Sequence, residues 1–105
     1  MSTYLVERYL PGIPLDGIRA GVVRCRRATA EMRSEGLAVR HVQSLVVAED
    51  DLCLCRFSAA SPELVEEANR RADFTYARIS LARLIRPARR VTGARPRPAG
   101  KEGAR

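Results

Sequence analysis

A chain of 105 residues with 46% hydrophobic and 30% charged residues has room for one small domain, and a domain that size buries roughly 60 to 65% of the surface its unfolded chain exposes. Glu7 and Arg8 interrupt the first ten residues, so neither the apolar run of a signal peptide nor a membrane span is expected, and a cytoplasmic protein is the default reading. The net charge of +7 is unevenly divided, with 13 Arg against 11 acidic residues up to position 86, and five Arg and Lys101 against Glu102 beyond it, so charge alone does not make this a nucleic-acid protein.

Thr3 to Leu10 (TYLVERYL) alternates polar and apolar residues with the period of a strand, and Pro11-Gly12 ends it. From Leu15 to Glu35 the spacing changes to Ile18, Val22, Cys25, Thr29 and Met32, which places one stripe on a helix face. Gly36 supplies the left-handed position that ends helices. Gly17 and Gly21 each weaken this helix by about 1 kcal/mol relative to Ala.

Val39 to Val47 is rich in β-branched residues, Glu49-Asp50-Asp51 makes a polar turn, and Leu52 to Ser58 returns, so a β-hairpin is predicted. Strict alternation places Val42 and Val46 opposite Leu45 and Val47, and Leu52 and Leu54 opposite Cys53, Cys55 and Phe57. Ser61-Pro62-Glu63 is a helix start, with Ser as cap, Pro at the first helical position and Glu complementing the dipole. The helix runs to about Ala72, with Leu64, Val65, Ala68 and Ala72 on its apolar side. Glu66 with Arg70 and Glu67 with Arg71 form i,i+4 pairs. Arg78 to Leu84 closes the domain as a fourth strand.

This order, βαββαβ, predicts a ferredoxin-like α+β domain over residues 1–86, with a four-stranded antiparallel sheet and both helices on one face. Residues 87–105, rich in Pro, Gly and Arg, read as a disordered basic tail. Both alternating sets of the central strands contain apolar residues, so the sheet face away from the helices calls for a second copy of the chain. A homodimer of the dimeric α+β barrel type is expected.

The segments YLVERYLPG, EDDLCLC and EEANRRADF, together with Arg78-Ile79, resemble a family of small ferredoxin-like proteins common in actinobacteria and other bacteria, whose best-described member type binds nickel. The likeness covers about residues 3 to 84 and implies a small, non-enzymatic binding protein. It also implies nickel as the ligand to consider, because members that bind it carry histidines near the end of the first strand and in the second helix, and imidazole suits nickel. Here those places hold Arg8 and Tyr9, and Ala68 and Asn69, so specific nickel binding by that route is not expected.

Glu7 and Tyr9 share one side of the first strand and, with His41 or Gln43, make the candidate ligand-binding set, since ligand clefts are apolar with a few placed polar groups. His41 is the only histidine, and a structural role is the plainer reading. Cys53 and Cys55 are two apart on one strand, so both thiols share a face and could hold a soft metal, although cysteines are commonly core residues. The odd cysteine count fits free thiols. No four-ligand zinc pattern or CxxC redox motif occurs. Arg19, Arg26 and Arg33, with Arg27 adjacent, form a basic stripe on the first helix that reads first as a solvated face.

No catalytic residues can be assigned, because no nucleophile, base and orienting group occur together. A cofactor-independent enzyme on the same dimeric barrel is the alternative, by fold analogy alone. A nucleic-acid accessory protein using the tail is a third class, with non-specific binding, since stacking aromatics are scarce.

Overall fold

The computed structural model describes residues 1–87. Among them the elements are β1 (Ser2–Tyr9), α1 (Leu15–Ser34), β2 (Val39–Val47), a 3-10 turn at Ala48–Asp50, β3 (Leu52–Ala59), α2 (Pro62–Ala72) and β4 (Arg78–Ala82). The sheet order is β2-β3-β1-β4 and each neighbouring pair is antiparallel. Strand β3 thus lies between β1 and β2, the split βαβ arrangement of ferredoxin-like folds. The expected order of elements is present, with β4 ending at Ala82. The predicted tail from 88 onward lies outside the described residues.

Alternation decides which side of the sheet meets the helices. Tyr4, Val6 and Arg8 of β1 and Cys53, Cys55, Phe57 and Ala59 of β3 are buried against Ile18, Cys25, Ala28 and Met32 of α1 and Val65, Ala68 and Ala72 of α2. Fully burying one large apolar side chain contributes about 1.5–3 kcal/mol, so this face supplies the domain's cohesion. Leu52 and Leu54 point the other way.

Four local expectations need correction. Strand β2 carries a bulge: His41 pairs with Phe57, but Gln43, two residues on, pairs with Arg56, the very next residue of β3. The extra residue, Val42, breaks strict alternation, so it does not share a face with Val46 by simple parity. Second, Ser61 sits in extended backbone at the N-cap of α2 without a side-chain capping bond. Third, Arg70 pairs with Glu67 and not with Glu66, while Arg71 takes Glu67 at 2.7 Å and also reaches Glu31 and Glu35 of α1, each at 2.9 Å. That clasp ties the two helices together, and its hydrogen bonds hold the Glu35 carboxyl below its ordinary range, while those of Arg70 first and Arg71 second do the same for Glu67.

The fourth concerns the α1 stripe. Arg19, Arg26 and Arg27 are exposed, as a solvated face requires, but Arg33 is half-buried and donates to the Val39 carbonyl of β2 at 3.0 Å, so one member of the stripe serves the packing of helix on strand. Gly21 is likewise a packing residue: a Cβ there would lie 2.6 Å from the Phe74 ring.

Candidate functional site

Each face of the sheet carries a group of polar side chains, and the register divides the predicted residues between them. On the open face, cross-strand partners form rows. One row runs Arg78, Glu7, Leu54, Leu45, and the next Ser80, Leu5, Arg56, Gln43. Glu7 accepts from Arg78 Nε at 3.1 Å and from the Tyr9 hydroxyl at 3.4 Å. Arg56 Nε donates to Gln43 Oε1 at 3.0 Å. Between these two polar groups lie Leu5 and Leu54, with Leu45 61% exposed beyond them. The open face therefore carries a leucine patch set among polar side chains, with one polar cluster toward β4 and another toward β2.

His41 does not belong to this set. The bulge leaves it on the helix face, 5% exposed, with its ring edge-on to Phe57 at 5.1 Å. The expected grouping of Glu7 and Tyr9 with His41 is corrected accordingly, and Gln43 alone of the two β2 candidates shares their face.

The helix face holds the second group. His41 Nε2 lies 2.9 Å from Ser44 Oγ, Ser44 Oγ lies 3.0 Å from Cys55 Sγ, and Cys55 Sγ lies 3.9 Å from Cys53 Sγ. Beside Cys53 in the register is Arg8, fully buried. Its guanidinium donates to the carbonyls of Phe74 at 3.0 Å and Thr75 at 3.1 Å, stacks 3.8 Å from the Phe74 ring, and reaches Cys25 Sγ at 3.7 Å. Cys25 in turn lies 3.8 Å from Asn69 Oδ1. No carboxylate lies within ion-pair distance of Arg8 among the described residues, and Arg8 Nε and His41 Nδ1 are buried without partners.

An uncompensated buried cation reshapes the thiols around it. Burial pushes Cys25 up to about 11, against the pull of Arg8. In the sulfur pair, the hydrogen bond from Cys53 draws Cys55 well below the ordinary thiol value, helped by His41, Arg8 and Ser44, while Cys53, as donor, is pushed far up. The arrangement is a pair of buried sulfurs in contact with each other, with a buried guanidinium beside Cys53 in the register.

Sequence reasoning did not give Arg8 a structural role. The signal was its parity: Arg8 follows Tyr4 and Val6 at steps of two, which places it on their buried face. All three cysteines are free and buried, as expected. Among the described residues no group of three or more His, Cys, Asp or Glu is placed to hold a metal ion. An open groove of about 590 Å³ along α2, bordered by Glu63, Glu66, Asp73 and Tyr76, touches none of the predicted site residues.

The topology and this two-faced sheet define a small ferredoxin-like α+β domain. The family model described as nickel responsive protein SCO4226-like matches residues 4–81, and the chain belongs to that family. Among solved structures, a crystal structure of SCO4226 from Streptomyces coelicolor A3(2) matches with a TM-score of 0.65 at 16% identity, covering 81% of this chain and 100% of that one. That likeness shows the fold. No curated protein matches the chain. No helix among the described residues is long and apolar enough to cross a membrane.

Proposed function

We propose that this protein is a small non-enzymatic binding protein that acts as a homodimer, two copies meeting through their open sheet faces and enclosing a ligand cleft bordered by Glu7, Tyr9 and Gln43. The observation that carries this reading is the open face itself, where Leu5 and Leu54 lie between the Glu7–Arg78 and Arg56–Gln43 pairs and Leu45 and Leu52 flank Leu54. A leucine patch bordered by placed polar groups suits a covered cleft better than bulk water. A second copy is the occupant that presents the same leucines in return, as a two-fold interface requires.

Nickel held as in nickel-binding relatives is not the ligand on this reading. The family positions carry a buried guanidinium at Arg8, an exposed phenol at Tyr9, a buried methyl at Ala68 and a buried amide at Asn69, and none of these offers imidazole nitrogen.

The experiment is the mass of the full chain by light scattering, with Leu54→Lys beside it. The wild-type chain should give twice its 11.6 kDa, and Leu54→Lys should give the monomer with unchanged far-UV circular dichroism, since a charge at the centre of an apolar interface is desolvated without a partner. A wild-type monomer at tens of micromolar would sink the reading, as would a Leu54→Lys dimer.

A further inference from the structure

The helix face holds a feature that the open-face cleft does not use: two sulfurs 3.9 Å apart, sealed from solvent, beside a guanidinium without a carboxylate. We infer that Cys53 and Cys55 form a two-coordinate site for a soft monovalent cation of the Cu(I) type, with Arg8 as the fixed charge that balances the second thiolate.

Geometry comes first. The two residues are i and i+2 on β3, so the pleat aims both side chains at the same face without any rearrangement of backbone. With metal–sulfur bonds of roughly 2.3 Å, sulfurs at this separation bracket one ion at an S–M–S angle of about 115°, and widening by less than about 1 Å makes it linear. The ligand count selects the ion. Structural zinc takes four ligands, whereas no third His, Cys, Asp or Glu is grouped with this pair among the described residues. Thiolates favour Cu(I), and two of them satisfy it without further donors.

Charge decides whether such an ion can stay in a core. With a monovalent ion bound, both sulfurs act as thiolates, their protons passing to solvent, and Arg8 beside Cys53 in the register is the cation. One metal charge and one guanidinium balance two thiolates, so no net charge is brought into a low-dielectric interior. A divalent ion would leave an uncompensated positive charge. The route to water runs along the polar arm of Ser44 and His41: Ser44 is only half-buried on edge strand β2, and its Oγ touches Cys55.

The test uses the reduced full chain under anaerobic conditions, titrated with Cu(I) against bathocuproine disulfonate as competing chelator, with Ag(I) as a surrogate. Native mass spectrometry should count one ion per chain. X-ray absorption at the copper edge should find two sulfur neighbours. Cys53→Ala and Cys55→Ala should each weaken binding by more than the 10- to 100-fold that an outer-shell change costs, while Cys25→Ala leaves it within about threefold. The absence of a one-to-one complex in the wild-type chain overturns the site, whatever the variants do. So do three or more sulfur neighbours, an equal loss with Cys25→Ala, or equally tight Zn(II) binding through the same pair.

Discussion

Arg8 shows how one side chain can organise a core it would not be expected to enter. A buried guanidinium is costly unless its donors are used, and this one uses two carbonyls, a ring face and a sulfur. The two carbonyls belong to the segment between α2 and β4, so Arg8 also fixes how the chain leaves the second helix. Truncation to Ala removes those bonds and leaves a large cavity, and Arg8→Ala should cost about 3–5 kcal/mol in urea denaturation. A loss below about 1 kcal/mol would show that the guanidinium is a passenger. Cys25 gives a pH test of the same neighbourhood. Its thiol is held up to about 11 in the fold against an ordinary 9.0. The folded form therefore keeps its proton longer than the unfolded one, and this contribution is complete below pH 9 and lost as pH rises through about 11. Denaturation of wild type at pH 8 and pH 11 should differ by up to about 2–3 kcal/mol from this group. Cys25→Ala should flatten that dependence, and an equally steep profile in the variant would assign it to other groups.

At the level of elements, α1 shows how tertiary contact can reverse a propensity argument. By propensity alone Gly21→Ala should stabilise the helix by about 1 kcal/mol. The Phe74 ring fills the space a Cβ would need, 2.6 Å away, and that ring is held by the Arg8 guanidinium stacked upon it. Overpacking costs about 1–3 kcal/mol, so the net effect of Gly21→Ala should be a lower urea midpoint at unchanged slope; a rise would mean the ring moves aside freely. The same element marks where sequence was readable. Helix and strand periods, the Gly36 stop and the polar hairpin turn follow from local chemistry, and every expected element within the described residues is present. The β2 bulge is not local, because nothing in Val39–Val47 announces the one-residue slip against Phe57 and Arg56. That slip separates His41 from Gln43, so the candidate site is readable only in part: Glu7 and Tyr9 by parity, but not the choice between His41 and Gln43 on β2. The Cys53–Cys55 pair was readable by parity too, but its neighbours Ser44, His41 and Arg8 come from other strands, and their meeting depends on register.

At the scale of the whole molecule, the question is whether belonging to a nickel-responsive family carries the ligand with it, and the placement of four side chains argues that it does not. Arg8 and Asn69 come from β1 and α2 and meet through Cys25, which lies within 3.7 Å of one and 3.8 Å of the other. Asn69 also donates to the Val65 carbonyl at 2.8 Å, a bond inside its own helix. These two positions are filled by groups that bond into the core around them, with only Arg8 Nε left without a partner. Ala68 is fully buried, and Tyr9 stands 55% exposed on the opposite face of the sheet with its hydroxyl on Glu7. The four places thus split between two faces and offer one amide oxygen and one phenol, poor donors for a divalent ion that favours imidazole. Calorimetric titration of the reduced full chain with Ni(II) should show no stoichiometric complex tighter than about 1 μM, the affinity worth about −8 kcal/mol. A one-to-one complex at or below that level would place nickel on ligands other than the family's. Repeating the titration on Glu7→Gln and on the Cys53→Ala, Cys55→Ala double variant would then assign it, loss with the first locating it on the open face and loss with the second at the sulfur pair.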